Sequence, residues 1–160
     1  FEITDKIRVN CSTIGDELNR LKIKKLDYLK IDTQGSEFEI LKGIENYRPL
    51  LIRSEIQIFS LYKDVPEWNN LLNKFYDLNY IICDWKKIGS HKTRSPMETE
   101  MIFIPNFKND EGKKLISNNK NEFISLMLIF GYIDLLKFLV TKLNMISFND
   151  IENLNDRFFY

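Results

Sequence analysis

The segment Leu29–Glu37 reads LKIDTQGSE and indicates how this part of the chain folds. Its first three residues close an apolar run that begins at Leu26, which is typical of a buried strand. Asp32 follows directly, Gly35 permits a tight turn, and a helix is expected to begin near Glu37. The segment therefore predicts a strand, a short turn and a helix, with polar side chains at the end of the strand.

The alternation of strands and helices continues on both sides of this segment. Upstream, Thr13 and Asp16 form a variant of the capping box for a helix over 14–22, and a short strand is expected over 6–10. Downstream, apolar runs predict strands over 50–56, 80–85 and 100–104. Pro66 begins a helix that extends to about residue 78, with an inward stripe of Trp68, Leu71, Leu72 and Phe75.

This order of elements predicts an α/β fold. Strands that alternate with helices over short connections form βαβ units and a parallel sheet. The last two strands are joined by about fourteen polar residues without a helix. That connection suits a hairpin, so one antiparallel strand is expected at the edge of the sheet.

The chain changes character after Phe107. Residues 109–112 resemble a linker, and 113–143 are expected to be helical, in two pieces that meet near Gly131. The pattern therefore divides the chain into a sheet domain over 1–107 and a helical extension over 108–160. This extension is expected to pack on the sheet or to support self-association. Its predicted apolar face consists of Leu126, Ile129, Phe130, Ile133, Leu136, Phe138 and Leu139.

Composition excludes several classes of function. The chain has 23 basic and 23 acidic residues, so no net field favours nucleic acid. The most apolar run, Phe123–Val140, is broken by Gly131, Asp134 and Lys137 and falls short of the ~20 apolar residues of a membrane span, and no secretory signal is visible. Cys11 and Cys83 lack a CxxC companion, which argues against a zinc site and favours the reducing cytoplasm. His91, the single histidine, lies in a polar stretch and is interpreted as a solvated loop residue.

Acidic residues mark the ends of two predicted strands. Asp32 closes one strand and Glu55 lies near the end of the next, at the edge of an α/β sheet where ligands bind. Asp32 is the first candidate for a general base or a ligand of a divalent metal, and Glu37 and Glu55 are the second. A carboxylate at Glu37 is also favoured by the helix dipole whatever its function. These residues alone predict a ligand-binding crevice and leave the reaction open.

The order of residues over Val9–Asn106 resembles the FkbM methyltransferase family. The longest matching string is Leu26–Glu37, which continues as FEILKG through Gly43. The other matching features, which follow in the same order, are TIGDEL at 13–18, SEI at 54–56, the Leu61-Tyr62 pair, the helix to Tyr80, and EMIF at 100–103.

The resemblance implies a fold, a cofactor and an acceptor. It implies the C-terminal half of a Rossmann-like class I methyltransferase sheet, with an appended C-terminal helical segment. It implies S-adenosylmethionine as methyl donor and a hydroxyl acceptor on a small molecule or glycan. The resemblance also supports Asp32 as a residue close to the donor and the acceptor. Together with the positions of the acids at the strand ends, this makes Asp32, Glu37 and Glu55 the candidate catalytic residues. The candidate cofactor-binding residues are Asp32, Thr33, Gln34 and Gly35. A divalent metal such as magnesium, with Asp32 and Glu55 as its ligands, stays an open alternative that the pattern does not support further.

One feature of such a sheet is absent from the 160 residues. The six glycines never form the GxGxxG-like cluster that binds a dinucleotide or a related donor. The chain is therefore expected to be part of a longer enzyme and to be inactive alone. Two other hypotheses stay open: a non-catalytic α/β module that binds a protein partner through its helical tail, and part of a nucleotide-sugar transferase.

Overall fold

The computed structural model describes residues 5–59, 63, 65–88 and 97–158. His91 and the Leu61-Tyr62 pair lie outside the described residues. Within these ranges the elements follow in the order α1 (Ile14–Arg20), β1 (Tyr28–Ile31), α2 (Glu37–Lys42), β2 (Leu51–Gln57), α3 (Trp68–Asp77), β3 (Tyr80–Ile88), β4 (Glu98–Pro105), α4 (Asp110–Asn118), α5 (Lys120–Ile129), α6 (Ile133–Thr141) and α7 (Phe148–Phe158).

The four strands form one mixed sheet in the order β1-β2-β4-β3. β1 and β2 are parallel, and β4 is antiparallel to both of its neighbours. The prediction of one antiparallel strand is confirmed, but its predicted place at the edge is wrong, because β4 lies between β2 and β3. Burial explains the order. The run Met101–Ile104 is buried on both faces, whereas β3 carries the exposed Trp85 and suits an edge.

Helices cover both faces of the sheet. On β4, the side chains of Met101 and Phe103 face one core cluster and those of Ile102 and Ile104 face the other, as the period of a strand requires. α2 and α3 pack on the first face. On the second face, the helices from α4 onward pack on the start of β1 and β2 and on β3 and β4.

The helices α1 and α3, which precede the last two strands, form close to where the sequence predicts them. Thr13 and Asp16 form the predicted capping box at the start of α1. In α3, Leu71 and Phe75 are buried as predicted, but Trp68 is exposed. Trp68 is the first residue of this helix. The strand expected over 6–10 is not formed, and these residues are exposed coil.

The C-terminal region contains more and shorter helices than its sequence suggests. The break near Gly131 is confirmed, with φ at +79°. A second break at Asn119 separates α4 from α5, and α7 was not predicted, so four helices replace the expected two. Of the predicted apolar face, Leu136 and Leu139 are buried, as predicted. Ile129, the last residue of α5 before the turn at Gly131, is 72% exposed.

In the part of the chain that the structure describes, no helix is both long and apolar enough to cross a bilayer.

Candidate active site at the carboxyl edge of the sheet

Parallel pairing brings two carboxylates to the same level of the sheet. Ile31 of β1 pairs with Ser54 of β2, so the next residues, Asp32 and Glu55, follow side by side. We call this end of β1 and β2, with the turn 32–36, the carboxyl edge. The edge exists because both strands run in the same direction, as the sequence predicted.

Gln34 connects the turn to β2. Its Nε2 donates a hydrogen bond of 2.7 Å to Oε1 of Glu55. Its backbone has a φ of +56°, in the left-handed region that side-chain-bearing residues rarely adopt, and Gly35 follows at +121°. A residue in such a conformation carries a strain of about 1–3 kcal/mol that its surroundings must hold.

Glu37 supplies the contacts that hold this turn. Its side chain is buried, at 6% exposure. The carboxylate accepts hydrogen bonds from Thr33 N at 3.1 Å, from Thr33 Oγ1 at 3.0 Å, and from Gly35 N at 3.0 Å. Ser36 stands at the N-cap position of α2 but makes no side-chain capping bond. The buried carboxylate of Glu37 therefore fixes the backbone on both sides of Gln34.

The environment shifts the pKa values of Asp32 and Glu55, the two carboxyls at this edge, in opposite directions. A hydrogen bond and ion pair from Lys30 Nζ, 2.8 Å from Oδ2, lower the pKa of Asp32. Burial raises the pKa of Glu55; the Gln34 hydrogen bond opposes this rise, and the carboxylates of Glu98 and Asp32 add to it. Asp32 is therefore the more firmly ionised group, and Glu55 binds a proton more readily.

A further charged pair lies beside these carboxylates. Arg53 of β2 forms an ion pair with Glu100 of β4, with 2.5 Å between Nη2 and Oε2. The Nε of Arg53 is buried, and no described residue accepts a hydrogen bond from it. Sequence reasoning missed this pair because it joins strands 47 positions apart through an antiparallel register. The sequence did contain one indication of the pair: a lone arginine within an apolar strand, at a position on its exposed face.

All six residues predicted for the site lie together at the carboxyl edge. Asp32, Thr33 and Gln34 are exposed, so a ligand can reach them. Glu37 lies beneath the turn, and Glu55 is half-buried on the neighbouring strand. Among the described ranges, no group of three or more His, Cys, Asp or Glu side chains is arranged to hold a metal ion.

Comparison with protein families identifies the family of this chain. The family model described as "Methyltransferase FkbM domain" matches residues 1–82, just over half of the 160-residue chain. The matched range contains the turn 32–36, the buried Glu37 and the strand that carries Glu55. No curated protein and no solved structure matches the chain significantly.

Proposed function

Because this chain belongs to the FkbM methyltransferase family, we propose that its carboxyl edge takes part in methyl transfer from S-adenosylmethionine to a hydroxyl oxygen. The acceptor in this proposal is a sugar or another hydroxyl compound in glycan or natural-product assembly. The observation that supports it best is the pair of Asp32 and Glu55, side by side at the ends of parallel strands and connected by Gln34.

The exposed turn has the chemistry that the donor needs. S-adenosylmethionine carries a sulfonium and an ammonium group, and it supplies an electrophilic methyl group when bound. Asp32 is exposed and ionised, and in this proposal a cationic group of the donor contacts its carboxylate beside Lys30 Nζ, which lies 2.8 Å from Oδ2. Thr33, Gln34 and Gly35 surround it and provide the close backbone approach that such a ligand requires. In this proposal these four residues contact the donor.

The opposite pKa shifts favour different roles for the two carboxyls. A general base is most effective when its pKa lies closer to the working pH, which favours Glu55, whose pKa is raised. Glu55 accepts the proton of the acceptor hydroxyl while the new oxygen–carbon bond forms and the bond from the methyl group to sulfur breaks. Asp32, the first candidate from sequence, acts in this proposal as a fixed negative charge.

Glu37 contributes to the proposed reaction without touching the reacting atoms. Its carboxylate already accepts hydrogen bonds from Thr33 and Gly35, and its side chain is buried beneath the turn. It therefore acts as a positioning residue that holds Gln34 and, through Gln34, the carboxylate of Glu55.

The proposal is tested with the full-length protein, donor labelled in the methyl group, and a panel of hydroxyl acceptors. We expect label transfer in the wild type and a loss of about a hundredfold or more in Glu55→Gln. Glu39→Gln is the matched control, because Glu39 is an exposed acid on α2 that pairs with Lys42. Donor binding is measured in parallel by calorimetry, and Asp32→Asn is expected to weaken it.

Two results would overturn the proposal. The first is a full-length protein that neither binds the donor nor transfers label, which would favour the non-catalytic module. The second is activity with a nucleotide sugar and none with the methyl donor, which would favour the transferase hypothesis.

Self-association through the C-terminal helices is a separate part of the proposal. Ile129, Ile133 and Phe138 are exposed on α5 and α6, at 72%, 50% and 43%. Such side chains suit a contact between subunits. Sedimentation velocity of the full-length protein, compared with Ile129→Ser/Ile133→Ser, measures it; an unchanged monomer in both would contradict it.

A further inference from the structure

A groove of about 710 Å³ opens at the opposite end of the same strands. We call it the amino edge. Its walls come from Asn19 of α1, the loop 22–26 before β1, the loop 45–50 before β2, and the residues Leu115 and Asn119. Its volume lies in the range of about 300–1,000 Å³ that is typical of small-molecule sites. Asp32 lies six positions after Leu26 along the chain, so the groove is roughly 20 Å from the carboxyl edge.

The groove is positively charged in a chain whose net charge is zero. Lys22, Lys24, Lys25 and Arg48 line it, against one acid, Glu45. The charge of Lys25 is already offset, because its Nζ lies 3.0 Å from Asp27 and 2.8 Å from Glu122. Lys22 and Lys24 form no ion pair with any described residue. Two lysines and one arginine are therefore available to an anion.

Arg48 is held in place at this groove. Its Nη1 donates hydrogen bonds to the carbonyl oxygens of Glu45 at 2.7 Å and Tyr47 at 2.8 Å. The other N–H donors of its guanidinium have no acceptor among the described residues. A guanidinium fixed on one side and free on the other is well suited to an anion with several oxygens, because little side-chain freedom is lost on binding.

Apolar side chains form the rest of the groove. Ile23 lies between Lys22 and Lys24 and is 40% exposed. Leu26 is half-buried, and Leu50 is buried at the floor. Cations and accessible apolar surface thus occur in one concave site. A small inorganic anion would leave the apolar part unused, whereas a neutral apolar ligand would leave the cations unused.

We propose that the amino edge binds a phosphorylated compound that carries an apolar group. Arg48, Lys22 and Lys24 contact the phosphate oxygens, and Ile23 and Leu26 contact the apolar group. This site is separate from the carboxyl edge and does not depend on the methyl-transfer proposal.

The test uses calorimetry on the full-length protein with three probes. Octyl phosphate carries both features, inorganic phosphate carries the charge, and octyl glucoside carries the alkyl chain without charge. We expect octyl phosphate to bind most tightly. Lys22→Gln/Lys24→Gln is expected to weaken it about tenfold, because two charge-assisted contacts are lost. Ile23→Ser should weaken octyl phosphate and leave inorganic phosphate unchanged.

The matched control is Lys6→Gln/Lys142→Gln, which removes two exposed charges outside the groove. Its affinity for octyl phosphate should equal that of the wild type, and thermal melting should show that every variant is folded. Equal affinity of Lys22→Gln/Lys24→Gln and wild type would overturn the proposal. So would octyl glucoside binding as tightly as octyl phosphate, or no binding of octyl phosphate at all.

A vesicle co-sedimentation experiment distinguishes a phosphate on a lipid headgroup from a phosphate on a free amphiphile. Vesicles of phosphatidylcholine with phosphatidic acid present the phosphate as a lipid headgroup. Co-sedimentation that is lost in Lys22→Gln/Lys24→Gln assigns the groove to a headgroup. Binding of octyl phosphate without co-sedimentation assigns it to a free phosphorylated amphiphile.

Discussion

The two ends of β1 and β2 differ in charge and in what holds them. At the carboxyl edge, Asp32 and Glu55 are acidic, and their turn depends on the buried carboxylate of Glu37. At the amino edge, Lys22 and Lys24 are exposed and make no ion pair within the described residues. The same pair of strands thus carries one edge whose geometry depends on a buried contact and one whose chemistry depends on exposed side chains. Substitutions should therefore change stability at the first edge and mainly ligand binding at the second.

The largest effect is expected from Glu37→Ala. The change leaves Thr33 N, Thr33 Oγ1 and Gly35 N without their acceptor, so the free energy of unfolding should fall by about 3 kcal/mol. Urea unfolding followed by circular dichroism measures it. Glu39→Ala, at an exposed position on the same helix, should cost about 0.5 kcal/mol or less. A loss below about 1 kcal/mol for Glu37→Ala would show that the turn does not depend on this carboxylate.

Gln34→Gly should separate stability from function. Glycine adopts the positive φ of residue 34 without strain, so the free energy of unfolding should stay within about 1 kcal/mol of the wild type. Glu55 loses its hydrogen-bond donor, so methyl transfer by the full-length protein should fall about tenfold. Gln34→Ala is the control, because it also lacks the amide but keeps the strain. Activity equal to wild type in both variants would remove Gln34 from the site.

The pH dependence of methyl transfer should identify Glu55 as the base. A base acts when deprotonated, so the rate should rise with pH through the pKa of Glu55, which burial raises above the usual value of about 4.3. Gln34→Gly removes a hydrogen bond that lowers this pKa, so the rise should move to higher pH. Asp32→Asn removes a nearby negative charge, so the rise should move to lower pH. Rate profiles that do not shift in these variants would assign the base to another group.

The smallest effect is expected at the amino edge. Lys25→Met removes two exposed ion pairs, with Asp27 and Glu122, and should lower the free energy of unfolding by about 0.5 kcal/mol or less. Molar salt should reduce this difference further, because it screens exposed charges. Urea unfolding at low and high salt measures both values. A salt-independent loss above about 1 kcal/mol would mean that the amino edge, too, depends on buried contacts.

Much of the local structure could be predicted from the sequence because neighbouring residues decide it. The capping box of Thr13 and Asp16, the end of β1 before Asp32, and the break at Gly131 are of this kind. The position of β4 inside the sheet could not be predicted from its connection. A hairpin joins β3 and β4, but it does not say which of the two also pairs with β2; burial of both faces of β4 decides that.

For the candidate site, too, the sequence determined some features and the tertiary structure decided the others. The sequence alone determined which residues follow the strand, that a turn and a helix come next, and which family the segment resembles. Only the tertiary structure decided that Gln34 contacts Glu55, that Glu37 faces inward, and that the pKa values of Asp32 and Glu55 shift in opposite directions. The reason is physical. A turn depends on residues a few positions apart, whereas the burial and charge around a carboxyl depend on strands that the fold brings together from distant parts of the chain.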